Sequence, residues 1–239
     1  MTHQDAAARR AFFGRRKGHK LRPHQARLFE TLLPRLKIDL TRAAPDNLRT
    51  LFPVPVEDVE LEIGFGGGEA LIAHAQARPH TGFIGVEPFV NGMAKVLAAI
   101  ENHETSPSPE SGLHNIRLHF DDAAELIEWL PAQALSRVDL VHPDPWPKRR
   151  HWKRRFVQDE MVGRLARILQ PGGEFRFVSD IADYSAWTLL RLLRSPDFAW
   201  TAQTADDWRK AWPDFVTTRY HAKAARAERS SCFLIFQRL

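Results

Sequence analysis

The chain of 239 residues carries 34 Lys or Arg against 29 Asp or Glu, a formal net charge of +5, and 44% hydrophobic residues. That is length and apolar content for one domain with a sizeable core, and a charge balance that favours an anionic partner. Cys232 is the only cysteine, which excludes an intramolecular disulfide and a cysteine-held zinc; with no apolar run of bilayer length and no signal-like N-terminal apolar stretch, the expectation is a cytoplasmic protein with no membrane segment and no metal.

The N-terminal 1–22 segment is basic: between Arg9 and Lys37 ten Lys or Arg residues face a single acid, Glu30. It is expected to be mobile unless it docks. Residues 23–239 then read as one domain. From Pro23 to Leu36 the apolar residues Ala26, Leu28, Phe29, Leu32, Leu33 and Leu36 recur at helical spacing, which predicts an amphipathic helix. After a proline-rich connection over 43–58 the chain alternates. Strands are expected at Val59–Ile63, Gly82–Val86, Asn115–Phe120, Arg137–His142 and Glu174–Ser179. Helices are expected at Glu69–Ala77, Val90–Asn102, Ala123–Trp129, Phe156–Leu169 and Tyr184–Ser195. Pro171-Gly172-Gly173 reads as a helix stop, Glu104–Gly112 as a loop, and Phe198–Thr201 and Cys232–Gln237 as final strands. The alternation implies an α/β fold with a mostly parallel sheet covered on both faces.

In such sheets ligands bind beyond the carboxyl ends of the strands, where this chain places Gly64, Glu87, Asp122, Asp144 and Asp180. Glu62-Ile63-Gly64-Phe65-Gly66-Gly67-Gly68 leaves the first strand. Its glycines allow a tight turn and close approach to a ligand, but the pattern departs from a dinucleotide fingerprint and no P-loop lysine follows. Glu62 places a carboxylate where a cation fits better than a phosphate. Glu87 can accept both ribose hydroxyls, and Asp122 the exocyclic amine of an adenine. An adenosine with a positive charge describes S-adenosylmethionine better than NAD or ATP. Asp122 also reads as an ordinary helix cap.

Residues 143–155 read Pro-Asp-Pro-Trp-Pro-Lys-Arg-Arg-His-Trp-Lys-Arg-Arg. Asp144 and Trp146 stand among prolines, followed by Lys148, Arg149, Arg150, Lys153, Arg154 and Arg155. Lys and Arg are rarely buried unless paired, so the run reads as a surface for a polyanion beside one carboxylate and one aromatic face. A solvated loop with a packing tryptophan is the plainer alternative.

On these residues the chain resembles the bacterial tRNA (guanine-N7-)-methyltransferase family: Leu61-Glu62-Ile63-Gly64-Phe65-Gly66, Gly85-Val86-Glu87, the 143–155 string, Ser179-Asp180 and Thr218-Arg219-Tyr220. The likeness runs from about residue 25 to the C-terminus. It implies a Rossmann-like seven-stranded S-adenosylmethionine-dependent methyltransferase fold with antiparallel last strands. It implies S-adenosylmethionine as donor and N7 of guanine 46 in the tRNA variable loop as acceptor. Glu62, Gly64, Gly66, Glu87, Asp122 and Asp144 are implied on the cofactor side, with Asp144 the catalytic candidate. Lys148, Asp180 and the stretch from Thr218 through Arg219, Tyr220 and His221 are implied substrate contacts. From the residues themselves, Trp146 is the candidate stacking face, and Arg150 and Arg154 belong to a basic track from Lys148 to Arg155. The family usually has glutamate where His221 stands. Either a monomer or a homodimer fits. A small-molecule methyltransferase and a catalytically silent RNA-binding protein are the rival readings, and six cations beside the site weigh against the first.

Overall fold

The computed structural model describes residues 13–105 and 112–239. Residues 1–12 of the basic segment and 106–111 of the expected loop lie outside the described residues. Seven strands, β1 (Asp58–Ile63), β2 (Thr81–Val86), β3 (Ile116–His119), β4 (Leu135–Val141), β5 (Leu169–Ser179), β6 (Phe198–Trp200) and β7 (Cys232–Arg238), form one sheet in the order β3-β2-β1-β4-β5-β7-β6. The first five pair in parallel, and β7 runs antiparallel to both β5 and β6. β2 is buried along its whole length, as a parallel strand covered on both faces must be. The strand order reverses between β1 and β4, which is where an α/β sheet opens a crevice at its carboxyl edge.

Alternation along the strands divides the core. Phe83, Ile116 and Leu118 pack with helices α1 (Pro23–Thr31), α2 (Leu33–Leu36), α3 (Glu69–Ala77) and α4 (Val90–Glu104). Ile84, Leu61 and Ile63 pack with α5 (Ala123–Trp129), α6 (Asp159–Ile168) and α7 (Ala182–Arg194) on the other face. No helix among the described residues is long and apolar enough to cross a membrane.

Three elements differ from the sequence reading. The expected helix from Pro23 to Leu36 breaks at Leu32, because Pro34 has no N–H and its ring crowds the carbonyl four residues back. The helix expected to reach Leu169 ends at Ile168, and β5 begins at once. Pro171-Gly172-Gly173 lies inside that strand as an irregularity, between the pairs Leu135↔Leu169 and Arg137↔Glu174, with Gly172 at φ +81°. Two short helices, α8 (Asp206–Arg209) and α9 (Arg219–Arg226), occupy a stretch with no predicted structure.

Candidate functional site

A cleft of about 870 Å³ opens at the carboxyl edge of β1, β2 and β4. The structure brings Gly64, Gly66, Glu87, Asp122, Asp144, Trp146, Arg154, Arg219 and Tyr220 to its walls. Glu62, Lys148, Arg150, Asp180, Thr218 and His221 are not among the lining residues.

The glycine turn forms the floor. Gly64 and Gly66 have φ of +71° and +59°, a region glycine enters without steric cost. A Cβ on Gly64 would meet nothing within 4 Å, so its backbone lies open to a ligand. Glu87 locks the turn to the end of β2: its carboxylate accepts from Gly66 N at 2.7 Å and from Phe89 N at 2.9 Å. Burial raises its pKa against the pull of those two amides. On β1, just before the turn, Glu62 is buried, with no hydrogen bond to a described residue. Burial, and then the Asp139 carboxyl beside it, push its pKa up to about 8. Asp122 caps α5, accepting from Ala124 N at 3.0 Å; the cap role is real, and its second oxygen remains for the cleft.

The loop after β4 is strained at both ends. His142 and Trp146 have φ of +49° and +43°, which bulky side chains rarely adopt. Between them Asp144 is an exposed residue on the cleft wall with no hydrogen-bond partner among the described residues, and partial desolvation of its carboxyl by that wall raises its pKa. The Arg154 guanidinium lies 5.0 Å from the Trp146 ring centre and 4.9 Å from that of Phe13. The expected basic track divides. Lys148, Arg149, Arg150 and Lys153 are exposed and Arg154 is half-buried. Arg155 is a correction: it is fully buried, because Asp183 pairs with it and three aromatic rings enclose it.

The stretch from Thr218 also divides. Arg219 and Tyr220 turn into the cleft, and Tyr220 covers Gly66, where an added Cβ would meet its ring at 3.3 Å. Thr218 is buried at the start of α9, where its Oγ1 accepts from His221 N at 3.3 Å. His221 is half-buried among rings, 5.1 Å from Phe215, 5.9 Å from Phe233 and 5.7 Å from His142 between ring centres. Asp180 stands behind His142, accepting from its Nδ1 at 3.3 Å and from Arg229 Nε at 2.7 Å. Burial works against ionisation of Asp180, yet the Arg229 bond and its neighbours hold its pKa down; burial lowers that of His142.

Comparison with known proteins decides the family. Residues 57–234 match a family model described as "Putative methyltransferase". A tRNA (guanine-N(7)-)-methyltransferase of Rhodopseudomonas palustris (strain BisB5) is 62% identical over 229 residues, 96% of this chain and 86% of the relative. The chain belongs to the tRNA (guanine-N7-)-methyltransferase family. A relative of the same name from Nitrobacter hamburgensis is 60% identical over 95% of this chain and 86% of its own length. The crystal structure of a 16S rRNA methyltransferase, KamB, shares the fold, with a TM-score of 0.55 at 15% identity over 83% of this chain and 95% of that one.

Three features of this methyltransferase escaped the sequence reading. Gly92, in the first turn of α4, lets that helix pack on the glycine turn; a Cβ there would lie 2.3 Å from Gly66 O. A buried charged row crosses β1, β4 and β5 beneath the site. Arg137 pairs with Glu60 at 2.6 Å, Asp139 at 3.2 Å and Asp214 at 3.0 Å, and Asp214 pairs with Arg176 at 3.0 Å. Charges two apart in otherwise apolar strands were its sequence signal. Finally, residues 13–22 dock: Arg16 O accepts from Val90 N at 2.9 Å, Arg16 pairs with Asp121 at 2.8 Å, and His19 O accepts from Asn91 at 2.9 Å. Phe13 and Arg15 thereby reach the cleft mouth.

Proposed function

We propose that the protein transfers a methyl group from S-adenosylmethionine to N7 of guanine 46, in the variable loop of tRNA, forming 7-methylguanosine. The observation that carries this reading is a single loop. Pro143–Pro147 sets Asp144 and Trp146 on the wall of the cleft, while Lys148, Arg149 and Arg150 stay exposed immediately after it. The name of the 62%-identical relative supports the acceptor atom. The likeness of residues 143–155 to the family string supports position 46.

The residues fit the donor. Gly64 leaves open space for close approach of a ligand to the backbone. Glu87 spends one bond from each oxygen on the turn, and a carboxylate has about four acceptor sites, so capacity remains for ribose hydroxyls. Asp122 serves the adenine amine, and Glu62 the α-ammonium. Bound there, S-adenosylmethionine supplies an electrophilic methyl group on a sulfonium.

The chain's own residues supply alignment and charge. Guanine N7 already carries an in-plane lone pair on the major-groove edge, so no base is needed to create the nucleophile. Holding reactants in line is worth roughly 7–11 kcal/mol. Trp146 stacks on the turned-out base, for about 1–3 kcal/mol, where Arg154 already lies against the ring. Asp144 stabilises the positive charge that the guanine gains. Arg219 and Tyr220 close the cofactor side over Gly66. Asp180 and His221 act from behind the wall, by orienting His142. Lys148, Arg149, Arg150 and Lys153 hold the tRNA backbone.

The test is incubation of the purified protein with S-adenosylmethionine and an unmodified tRNA transcript, followed by nucleoside analysis. 7-Methylguanosine is expected, and none from a transcript with adenosine at position 46. No product from the first, with cofactor bound, refutes the activity; product from the second refutes the position.

A further inference from the structure

Arg155 is 0% exposed. Its guanidinium carbon lies 4.9 Å from the ring centre of Trp152, 5.0 Å from Tyr184 and 4.9 Å from Trp187. Nη2 pairs with Asp183, in the first turn of α7, and Nε donates to the carbonyl of Pro145 at 3.0 Å. Removing a guanidinium from water costs several kcal/mol before its partners compensate. A surface arginine that merely met RNA phosphate would not be built this way.

The segment it holds has few means of holding itself. Pro143, Pro145 and Pro147 have no N–H, and among the described residues neither the Asp144 nor the Trp146 amide donates a hydrogen bond. Trp146 follows at φ +43°, a conformation that costs about 1–3 kcal/mol and persists only where the surroundings over-determine it. The Pro145 carbonyl belongs to the peptide plane entering Trp146. Fixing that plane fixes the exit of the loop, with Asp144 one residue before it and the indole one residue after.

We propose that Arg155 is the positioning residue for Asp144 and Trp146: through the Pro145 carbonyl it ties the loop to α7 and sets the carboxylate and the indole against the cleft. Lysine is not equivalent, because a compact ammonium lacks the planar fork that bonds two groups while stacked between rings. The proposal rests on the reading of Asp144 as the catalytic carboxylate, and it removes Arg155 from the RNA-binding surface.

The experiment compares Arg155→Lys, Arg155→Met, Asp144→Asn and the double variant Asp144→Asn/Arg155→Lys, using full-length protein, S-adenosylmethionine and tRNA transcript. Asp144→Asn is expected to lower kcat by about 10²–10³-fold, as loss of a preorganised charge-stabilising group does. A misplaced reacting group costs about 10²-fold, so Arg155→Lys is expected to lower kcat by about that factor, with the KM for tRNA rising by a smaller factor as the Trp146 stack loosens. The double variant should fall below Asp144→Asn by much less than the full Arg155→Lys factor, because the two changes share the Asp144 carboxylate and differ only in the indole. Arg155→Met should leave the slope of log Kd for tRNA against log salt unaltered, whereas loss of a phosphate contact lowers it by about 1. Near-normal kcat in Arg155→Lys beside a slow Asp144→Asn overturns the proposal, as does a fully multiplicative loss in the double variant or a reduced salt slope in Arg155→Met. Loss of the folded circular-dichroism spectrum in both Arg155 variants assigns the residue to the fold alone and also overturns it. Near-normal kcat in Asp144→Asn instead refutes the underlying reading of Asp144.

Discussion

Glu62 offers the most quantitative test of the cofactor half of the site. Burial and the adjacent Asp139 carboxyl raise its pKa from 4.5 to about 8. At pH 7 most Glu62 side chains are then protonated, and ionising them weakens binding by roughly a factor of ten. In the proposed complex the α-ammonium of the donor faces this group, which requires the carboxylate. Binding at pH 7 is therefore expected to release close to one proton. S-adenosylhomocysteine keeps the α-ammonium and the adenosine and has no methyl to transfer. Its titration by calorimetry, in two pH 7 buffers of different ionisation enthalpy, counts that proton directly. Glu62→Gln should abolish the release and weaken binding. The same shift acts on the fold with a fixed sign. A raised pKa contributes stability that is full below the unfolded value near 4.5 and is lost as pH rises through 8, so ligand-free Glu62→Gln should gain on the native protein between pH 5 and 9. Heats that do not depend on buffer, or proton release undiminished in Glu62→Gln, would refute this account of Glu62.

Four other outcomes are expected. Gly92→Ala forces a methyl to within 2.3 Å of Gly66 O; overpacking of this kind costs about 1–3 kcal/mol, and calorimetry and thermal melting should show weaker cofactor binding and a lower Tm. Replacing Arg149 and Arg150 together by Gln should lower the salt slope of tRNA binding by about 1–2 while cofactor affinity, read by the same calorimetry, stays as it was. Asp214 has the opposite linkage to Glu62. Burial raises its pKa, but Arg176 and Arg137 outweigh it and hold the group at about 2. Its stabilising contribution is present above the unfolded value near 3.8 and lost as pH falls through 2, and Asp214→Asn should flatten that limb in denaturant melts taken between pH 2 and 5. His221→Glu introduces the residue that the family resemblance implies, yet here it would remove a ring from between Phe215, Phe233 and His142 and set a carboxylate in that aromatic packing. A lower Tm without a gain in kcat is expected, and improved turnover would show that His221 is a local loss rather than part of a repacked wall.

The strand-end residues were legible because parallel strands are continuous apolar runs, so the polar residue that ends each run marks the crevice. Gly64, Glu87, Asp122 and Asp144 were found in this way without any contact being known. α9 was not legible. Arg219–Arg226 has little apolar content, with Ala224 buried, so no hydrophobic period announces it; the helix forms on the Thr218 cap and on packing of the chain before and after it. Pro171-Gly172-Gly173 misled for a different reason. Its glycines serve a left-handed residue inside a bulged strand as readily as a helix stop, and only pairing with β4 distinguishes the two. Arg155 failed the rule that cations lie outside, because the rule concerns unpaired cations, and its partners Asp183, Tyr184 and Trp187 are about thirty residues away in sequence.

That distance bears on the chemistry. A transfer to a ready-made lone pair asks little of acid–base catalysis and much of alignment, so the useful investment is rigidity around Asp144. A five-residue loop with three prolines limits φ at three positions but leaves the orientation of its peptide planes undetermined. Left-handed His142 and Trp146 raise its energy further. Both features call for restraint from outside the loop, and the restraints come from α7 through Arg155 and from Asp180, at the end of β5, through His142. Loosening either should therefore slow transfer before it weakens tRNA binding, and Asp180→Asn separates the two effects. A fall in kcat at constant Kd for tRNA is expected; weaker tRNA binding at unchanged kcat would place Asp180 on the substrate itself.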